Sequence, residues 1–280
     1  MAAIIMDGKK TAAYVRQKVK EKCLLLKKEK GIVLGLAVIL VGDDNASQIY
    51  VRNKAKACEE VGINSKQYTL PANTGQEELL KLIDTLNKDD KINGILVQLP
   101  LPKHIDEKEV IKAIDPKKDV DAFSNENIGR MFCGDMICSP CTPSGILEML
   151  DYYKIDVRGK HCVVIGRSAI VGKPMAMMLL NRDATVTVCH SKTKDLPHIC
   201  RQADILVVAV GKPKMITCEY VKPGAVVVDV GINRDENGKL CGDVDFESVK
   251  ETASYISPVP GGVGPMTIAM LLNNVCNTVN

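Results

Sequence analysis

Runs of aliphatic and β-branched residues alternate along this chain with longer stretches of helical period. LGLAVILVG (34–42), SKQYTL (65–70) and INGILVQLPLP (92–102) read as strands. Between them lie helical patterns over about Lys9 to Lys30, about Ala46 to Val61, QEELLKLIDTL (76–86) and EKEVIKAID (107–115). A second series repeats the scheme, with HCVVIG, ATVTVC, DILVVAVG, GAVVVDVG and SYISPVP as strands and helices starting near Lys173 and Leu196. Strands alternating with helices imply parallel sheets covered on both faces, and solid apolar strands are what burial on both faces requires. The fold class expected is therefore α/β, with two parallel-sheet α/β domains and a ligand cleft between them at the strand C-terminal ends. The stretch Asp115 to Pro143 has no clear period and reads as the junction. A last helix, Pro265 to Val279, follows PGGVG and is expected to return to the first block. The division expected is 1–138 with helix 265–280 against 139–264.

Composition narrows the classes. At 280 residues and 46% hydrophobic the chain can bury a full core. A net charge of +3, no long block of like charge and 4% aromatics argue against nucleic acid as a partner. The longest apolar run, GIVLGLAVILVG, is shorter than the roughly 20 residues a bilayer span needs, so no membrane role is expected. Eleven cysteines lie mostly within apolar runs, and MAAIIMDGKK has neither a basic start nor a long apolar core. They read as reduced thiols of a cytoplasmic protein. Cys133, Cys138 and Cys141 are spaced C-x4-C-x2-C, but a second half-site at zinc-like spacing is missing, so no metal is expected.

The richest stretch is HCVVIGRSAIVGKPMAMMLL (161–180): a strand, a loop opened by Gly166 and closed by Gly172, and an apolar helix. Such a turn presents free N–H groups and a positive dipole end to an anion. Ser168 stands where the middle glycine of the common fingerprint would be. The next strand ends in His190, Ser191, Lys192 and Thr193, where an NAD-specific fold places a carboxylate for the ribose. Arg167, Ser191 and Lys192 suit a 2′-phosphate instead, which points to NADP.

In SQIYVRNKAKACEEVG (47–62), Val51, Ala55, Cys58 and Gly62 share one helical face. Ser47, Tyr50 and Lys54 form a stripe at its edge. Lys54 is then either a lysine snorkelling on a surface helix or a partly desolvated amine, its pKa lowered, able to move protons. Tyr50-x-x-x-Lys54 imitates the short-chain dehydrogenase pair, but it lies in the wrong block, upstream of the nucleotide loop. Gln98 interrupts an apolar strand; it either holds Lys54 or caps the strand end. Asp119 and Asp121 in KKDVDAF are turn residues or ligands. SPVPGGVGPMT (257–267) is rigid, side-chain-poor backbone that lets a flat ligand approach, and it holds X-Pro bonds that can be cis.

Taken in order, YVRNK (50–54), GILVQLPLP (94–102), KDVDAF (118–123), PCTP (140–143), GRSAIVGKP (166–174), TVCHSKT (187–193), DVGIN (229–233) and PVPGGVGPMT (258–267) make the chain resemble the bifunctional methylenetetrahydrofolate dehydrogenase/cyclohydrolase family over nearly its whole length. The resemblance implies oxidation of 5,10-methylenetetrahydrofolate by NADP and hydrolysis of the product to 10-formyltetrahydrofolate, serving one-carbon supply for purine, methionine and histidine biosynthesis. It also implies a homodimer. By the same resemblance Lys54 is the general acid/base of hydrolysis, Gln98 positions it, and Tyr50 stacks on the folate ring. Ser47 and Asp121 bind the substrate, with Asp121 taking the pterin's amino and N3 hydrogens. Pro260, Gly261 and Gly262 line the folate slot; Gly166, Arg167, Ser168, Ser191 and Ile232 hold NADP. The family has glycine where this chain has Ala122. If φ is positive there, alanine is strained by roughly 1 kcal/mol or more. Two other classes compete: an NADP dehydrogenase of shikimate-like hydroxy acids, which needs a cationic carboxylate clamp not evident around Lys54, and a non-catalytic dinucleotide-binding module, which has no use for Tyr50, Lys54 and Gln98.

Overall fold

The computed structural model describes residues 2–279. Two compact units emerge, one from Met1–Ala12 and Thr142–Thr267, the other from Ala13–Cys141 and Ile268–Asn280. The sequence reading assigned the first residues to the first block; the structure groups them with the second. The reason is β1 (Ile4–Ile5), which pairs in parallel with a strand near the far end of the chain.

In the Ala13–Cys141 unit the ordered elements are α1 (Gly8–Lys30, from Ala13 onward), β2 (Gly35–Val41), α2 (Asn45–Val61), β3 (Asn64–Leu70), α3 (Gln76–Asn87), β4 (Gly94–Val97), α4 (Glu107–Ala113) and α5 (Asn125–Cys133). The sheet order is β3-β2-β4, all parallel. Every residue of β2 is buried, as its unbroken apolar run requires. One core packs Ala37, Ile39, Ile95 and Val97 of the sheet against Leu79, Ile83 and Leu86 of α3 and Val110 of α4. β4 stops at Val97, shorter than the expected strand, so Gln98 stands just past the strand end. The stretch expected to be irregular contains α5, capped by Ser124, whose side chain accepts from Asn127 N, and closed by Gly134 at φ 78°. On α2, Val51 and Cys58 are buried, whereas Ala55 is half-buried and Gly62 is the left-handed C-cap beyond the helix.

The other unit contains α6 (Cys141–Tyr152), β5 (His161–Ile165), α7 (Gly172–Leu180), β6 (Thr185–Cys189), α8 (Leu196–Cys200), β7 (Ile205–Val208), β8 (Val226–Asp229), β9 (Asn233–Arg234), β10 (Leu240–Cys241), α9 (Phe246–Val249) and β11 (Tyr255–Ile256). The final helix α10 (Val263–Asn277) is divided between the units, its part from Ile268 onward clustering with Ala13–Cys141. The sheet runs β1-β11-β8-β7-β5-β6 and is parallel throughout. Its core includes Val163, Ile165, Leu206, Val208, Val227 and Ile256. The antiparallel β9–β10 hairpin and α9 were not anticipated from sequence.

All eleven cysteines are free, with Cys138 and Cys141 buried and Cys133 exposed. Among the described residues, no helix is long and apolar enough to cross a membrane.

Candidate active site

The lysine site is assembled from α2, the end of β4 and the turn before α5. Asp44 caps α2 by accepting from the Ser47 N–H at 2.8 Å, and Ser47 is buried at 3% exposure. One turn on, Tyr50 projects at 42% exposure, and a further turn brings Lys54, half-buried. Lys54 Nζ donates to Gln98 Oε1 at 3.0 Å. Gln98 is itself fixed: its backbone N–H donates to Ile39 O at 2.8 Å and its side-chain Nε2 to Leu99 O at 2.7 Å. With the amide nitrogen spent on that carbonyl, the amide oxygen is left facing the amine. Gln98 thus stands one residue past the strand end, in hydrogen-bond contact with Lys54. The following Leu99-Pro100 bond is cis.

Asp121 completes this cluster. Burial raises its carboxyl above the ordinary carboxylate value; the positive charge of Lys54 opposes that shift and the negative charge of Asp119 adds to it. Cys141 Sγ lies 3.8 Å from Asp121 Oδ1. Asp119, 2% exposed, is not free to bind a ligand: its Oδ2 accepts from Ser124 N at 2.8 Å and from Asn127 Nδ2 at 3.1 Å. Ala122 has φ 57° and is fully buried, so the alanine does occupy left-handed backbone. Asn274 on α10 donates from one Nδ2 to Val120 O and to Ser139 O, both at 2.8 Å, which pins the chain just ahead of Asp121 and just ahead of Cys141. Sequence reading missed Asn274; the signal available was a polar residue inside the otherwise apolar LLNNVC.

The anion site lies wholly in the other unit. Gly166 leaves β5 at φ 128°, and a Cβ there would meet Ala209 O at 2.2 Å. A Cβ on Gly172 would meet Gly166 O at 2.3 Å. The loop is thus closed so tightly that only glycine fits at either end. The Ser168 hydroxyl accepts from Val171 N at 3.2 Å and Gly172 N at 3.3 Å, which ties the loop to the start of α7, a role the sequence reading did not give it. A pocket of about 250 Å³ follows, lined among others by Gly166, Arg167, His190, Ser191, Ala209 and Lys212. Among the described residues no carboxylate lines it, while Arg167 and Lys212 bring positive charge. This combination of tight glycine turn, helix start and cations fits a dinucleotide with an extra phosphate. Ile232, just past β8, is 56% exposed and is not among the lining residues.

Pro260, Gly261 and Gly262 sit in this same unit, after a cis Val259-Pro260 bond, with Gly261 at φ 104° and its carbonyl accepting from Lys9 N at 3.2 Å. The structure therefore brings Ser47, Tyr50, Lys54, Gln98 and Asp121 into one unit and Gly166, Arg167, Ser168, Ser191, Ile232 and the Pro260–Gly262 loop into the other.

Comparison with known proteins matches two family models to successive parts of the chain. Residues 6–121 match the model of the tetrahydrofolate dehydrogenase/cyclohydrolase catalytic domain, and residues 140–280 that of the tetrahydrofolate dehydrogenase/cyclohydrolase NAD(P)-binding domain. The bifunctional protein FolD of Moorella thermoacetica is 64% identical over 274 residues, 98% of each chain. The crystal structure of the bifunctional FolD enzyme from Campylobacter jejuni is 55% identical with a TM-score of 0.96, covering 99% of this chain and 98% of that one. The FolD of Trypanosoma brucei, solved with NADP cofactor and inhibitor, is 40% identical with a TM-score of 0.94, covering 99% and 97%. A shikimate dehydrogenase from Aquifex aeolicus, 15% identical with a TM-score of 0.51 over 86% of this chain and 91% of its own, shares the fold alone.

Proposed function

The chain belongs to the tetrahydrofolate dehydrogenase/cyclohydrolase family, and from that premise we propose how its own residues divide the work. It oxidises 5,10-methylenetetrahydrofolate to 5,10-methenyltetrahydrofolate with NADP and hydrolyses the product to 10-formyltetrahydrofolate, in one-carbon folate metabolism. Lys54 is the general acid/base of the hydrolysis. The formyl carbon stays on N10, so the bond to N5 is the one that breaks. Lys54 as the free amine takes a proton from the attacking water and returns it to N5 as that nitrogen leaves; the remaining hydroxyl proton of the adduct passes to solvent as the formyl carbonyl forms, which discharges the cation. Gln98 holds the amine in place; the 3.0 Å contact between Nζ and Oε1 is the observation that carries this assignment. Tyr50 offers an exposed ring for stacking on the pterin. Ser47 and Asp121 bind the substrate, Asp121 as acceptor for the pterin's amino and N3 hydrogens, and Pro260, Gly261 and Gly262 line the folate slot.

NADP, when bound, supplies the hydride acceptor. Gly166 and Ser168 hold its phosphates at the start of α7, Arg167 and Ser191 its 2′-phosphate, and Ile232 its nicotinamide end. We assign Ala13–Cys141 with the end of α10 to folate and catalysis and Thr142–Thr267, apart from the Pro260–Gly262 loop, to the nucleotide. The eleven free thiols support a reducing, cytoplasmic setting. A homodimer that feeds purine, methionine and histidine biosynthesis completes the reading.

The test is Lys54→Met. Hydrolysis of methenyltetrahydrofolate should be lost while the affinity for NADP is unchanged. Full retention of hydrolysis would remove Lys54 from the mechanism.

A further inference from the structure

Among the described residues, two buried carboxylates of the nucleotide unit have no lysine or arginine partner and no part in the chemistry described above. Asp243 is fully buried and Asp229 is 3% exposed. Asp243 Oδ2 accepts from Val210 N at 2.7 Å and Gly211 N at 3.0 Å; its Oδ1 accepts from Lys212 N and Asn233 Nδ2, both at 2.8 Å. Three successive backbone N–H groups converging on one oxygen pair form an anion nest, here filled by the protein's own side chain. Asp229 anchors the anchor. Its Oδ1 accepts from Gly231 N at 2.9 Å and from Asp243 N at 3.0 Å, and its Oδ2 from Val244 N at 3.0 Å. The fit is so close that a Cβ on Gly242 would lie 1.7 Å from Asp229 Oδ2.

The loops tied together in this way are those that the nucleotide reading uses. Ala209, Val210 and Lys212 line the pocket together with Arg167 and Ser191, and Gly231 to Asn233 carry Ile232 past the end of β8. We propose that Asp243 is a positioning residue for NADP: by binding the 210–212 backbone and Asn233 at once, it sets the wall of the nucleotide pocket and the height of the Ile232 loop. This rests on the assignment of NADP to the Gly166–Ser191 pocket.

Asparagine at 243 keeps the shape but has one acceptor oxygen in place of two. Its amide nitrogen faces donors whichever way it turns, so at least one pair of tethers is lost. The sign of the effect is diagnostic. Charge alone predicts that removing a negative group beside an anionic ligand tightens binding. Positioning predicts the reverse.

The experiment measures Kd for NADP and for NAD by titration calorimetry, and NADP-free hydrolysis of methenyltetrahydrofolate, on the full chain well below its unfolding temperature. Asp243→Asn should weaken NADP and NAD together by roughly tenfold and leave hydrolysis within about twofold, because Lys54 and Gln98 lie in the other unit. Unchanged or tighter NADP binding would overturn the proposal, as would a loss confined to NADP, which would make Asp243 act through the 2′-phosphate. Arg167→Ala separates the two levels of the argument. If it weakens NADP while Asp243→Asn does not, the positioning role alone fails; if neither variant moves the affinity, the pocket assignment fails with it. Should Asp243→Asn not fold, Asn233→Ala decides, since it removes a single tether. A rise of roughly threefold in both Kd values supports the proposal, and no change overturns it.

Discussion

Replacing Asp229 by asparagine separates the cost of burying a charge from the value of the hydrogen bonds it accepts. Burial pushes the Asp229 carboxyl from 3.8 up to about 6, the neighbouring Asp243 charge adds to that rise, and three backbone N–H groups oppose it. Because the folded value lies above the unfolded one, the stabilising effect of the neutral acid is complete below the unfolded value. It is lost as pH rises through about 6. The whole change is worth about 3 kcal/mol, of which about 2 kcal/mol accrues between about pH 4.5 and pH 7.5. Asparagine does not titrate, so it escapes this term, but its amide nitrogen opposes at least one of the three donors at every pH. The variant should therefore be the less stable protein at pH 4.5. That deficit should shrink by about 2 kcal/mol at pH 7.5. Urea unfolding of both proteins at the two pH values, followed by a probe in the nucleotide unit, measures the difference of differences. A deficit that stays constant with pH, or grows as pH rises, would refute the reading of Asp229 as a carboxyl ionised against its surroundings.

Four further outcomes follow, three from the site geometry and one from a core position that serves as its control. Gly166→Ala places a methyl 2.2 Å from Ala209 O on left-handed backbone, so NADP binding should fall at least a hundredfold, on the order of 3 kcal/mol, while hydrolysis persists; calorimetry and the hydrolase assay check both. Ala122→Gly relieves left-handed strain of about 1–2 kcal/mol but gives up a buried methyl of about 0.8 kcal/mol and adds chain freedom, so stability should stay within about 0.5 kcal/mol. The same change at fully buried Ala37, in β2, has no strain to relieve and should cost more than about 1 kcal/mol by urea unfolding. Asp121→Ala should raise KM for the folate at least tenfold, the loss of a charge-assisted contact of about 1.5–3 kcal/mol; an unchanged KM would remove Asp121 from the substrate site.

The alternation of apolar runs with helical period determined most of the architecture, because both signals are local. β2 and β5 are buried nearly throughout as their composition demands, and Gly166 and Gly172 mark a turn that only glycine can make. Lys54 and Gln98 were legible as oddities, a lysine at the rim of an apolar face and an amide in an apolar strand. Their meeting at 3.0 Å was decided by the parallel stacking of β4 beside β2, which delivers Gln98 to α2. Other features left too weak a local trace. β1 is two exposed residues whose pairing depends on Tyr255 and Ile256, and α5 is a nine-residue helix set among prolines and glycines. Asp243 and Asn274 look like ordinary polar residues in sequence. Asp243 accepts from backbone N–H groups more than 30 positions away, and Asn274 donates to backbone carbonyls more than 130 positions away. A buried polar group is defined by the partners that replace its water, and those partners come together only when the chain has folded.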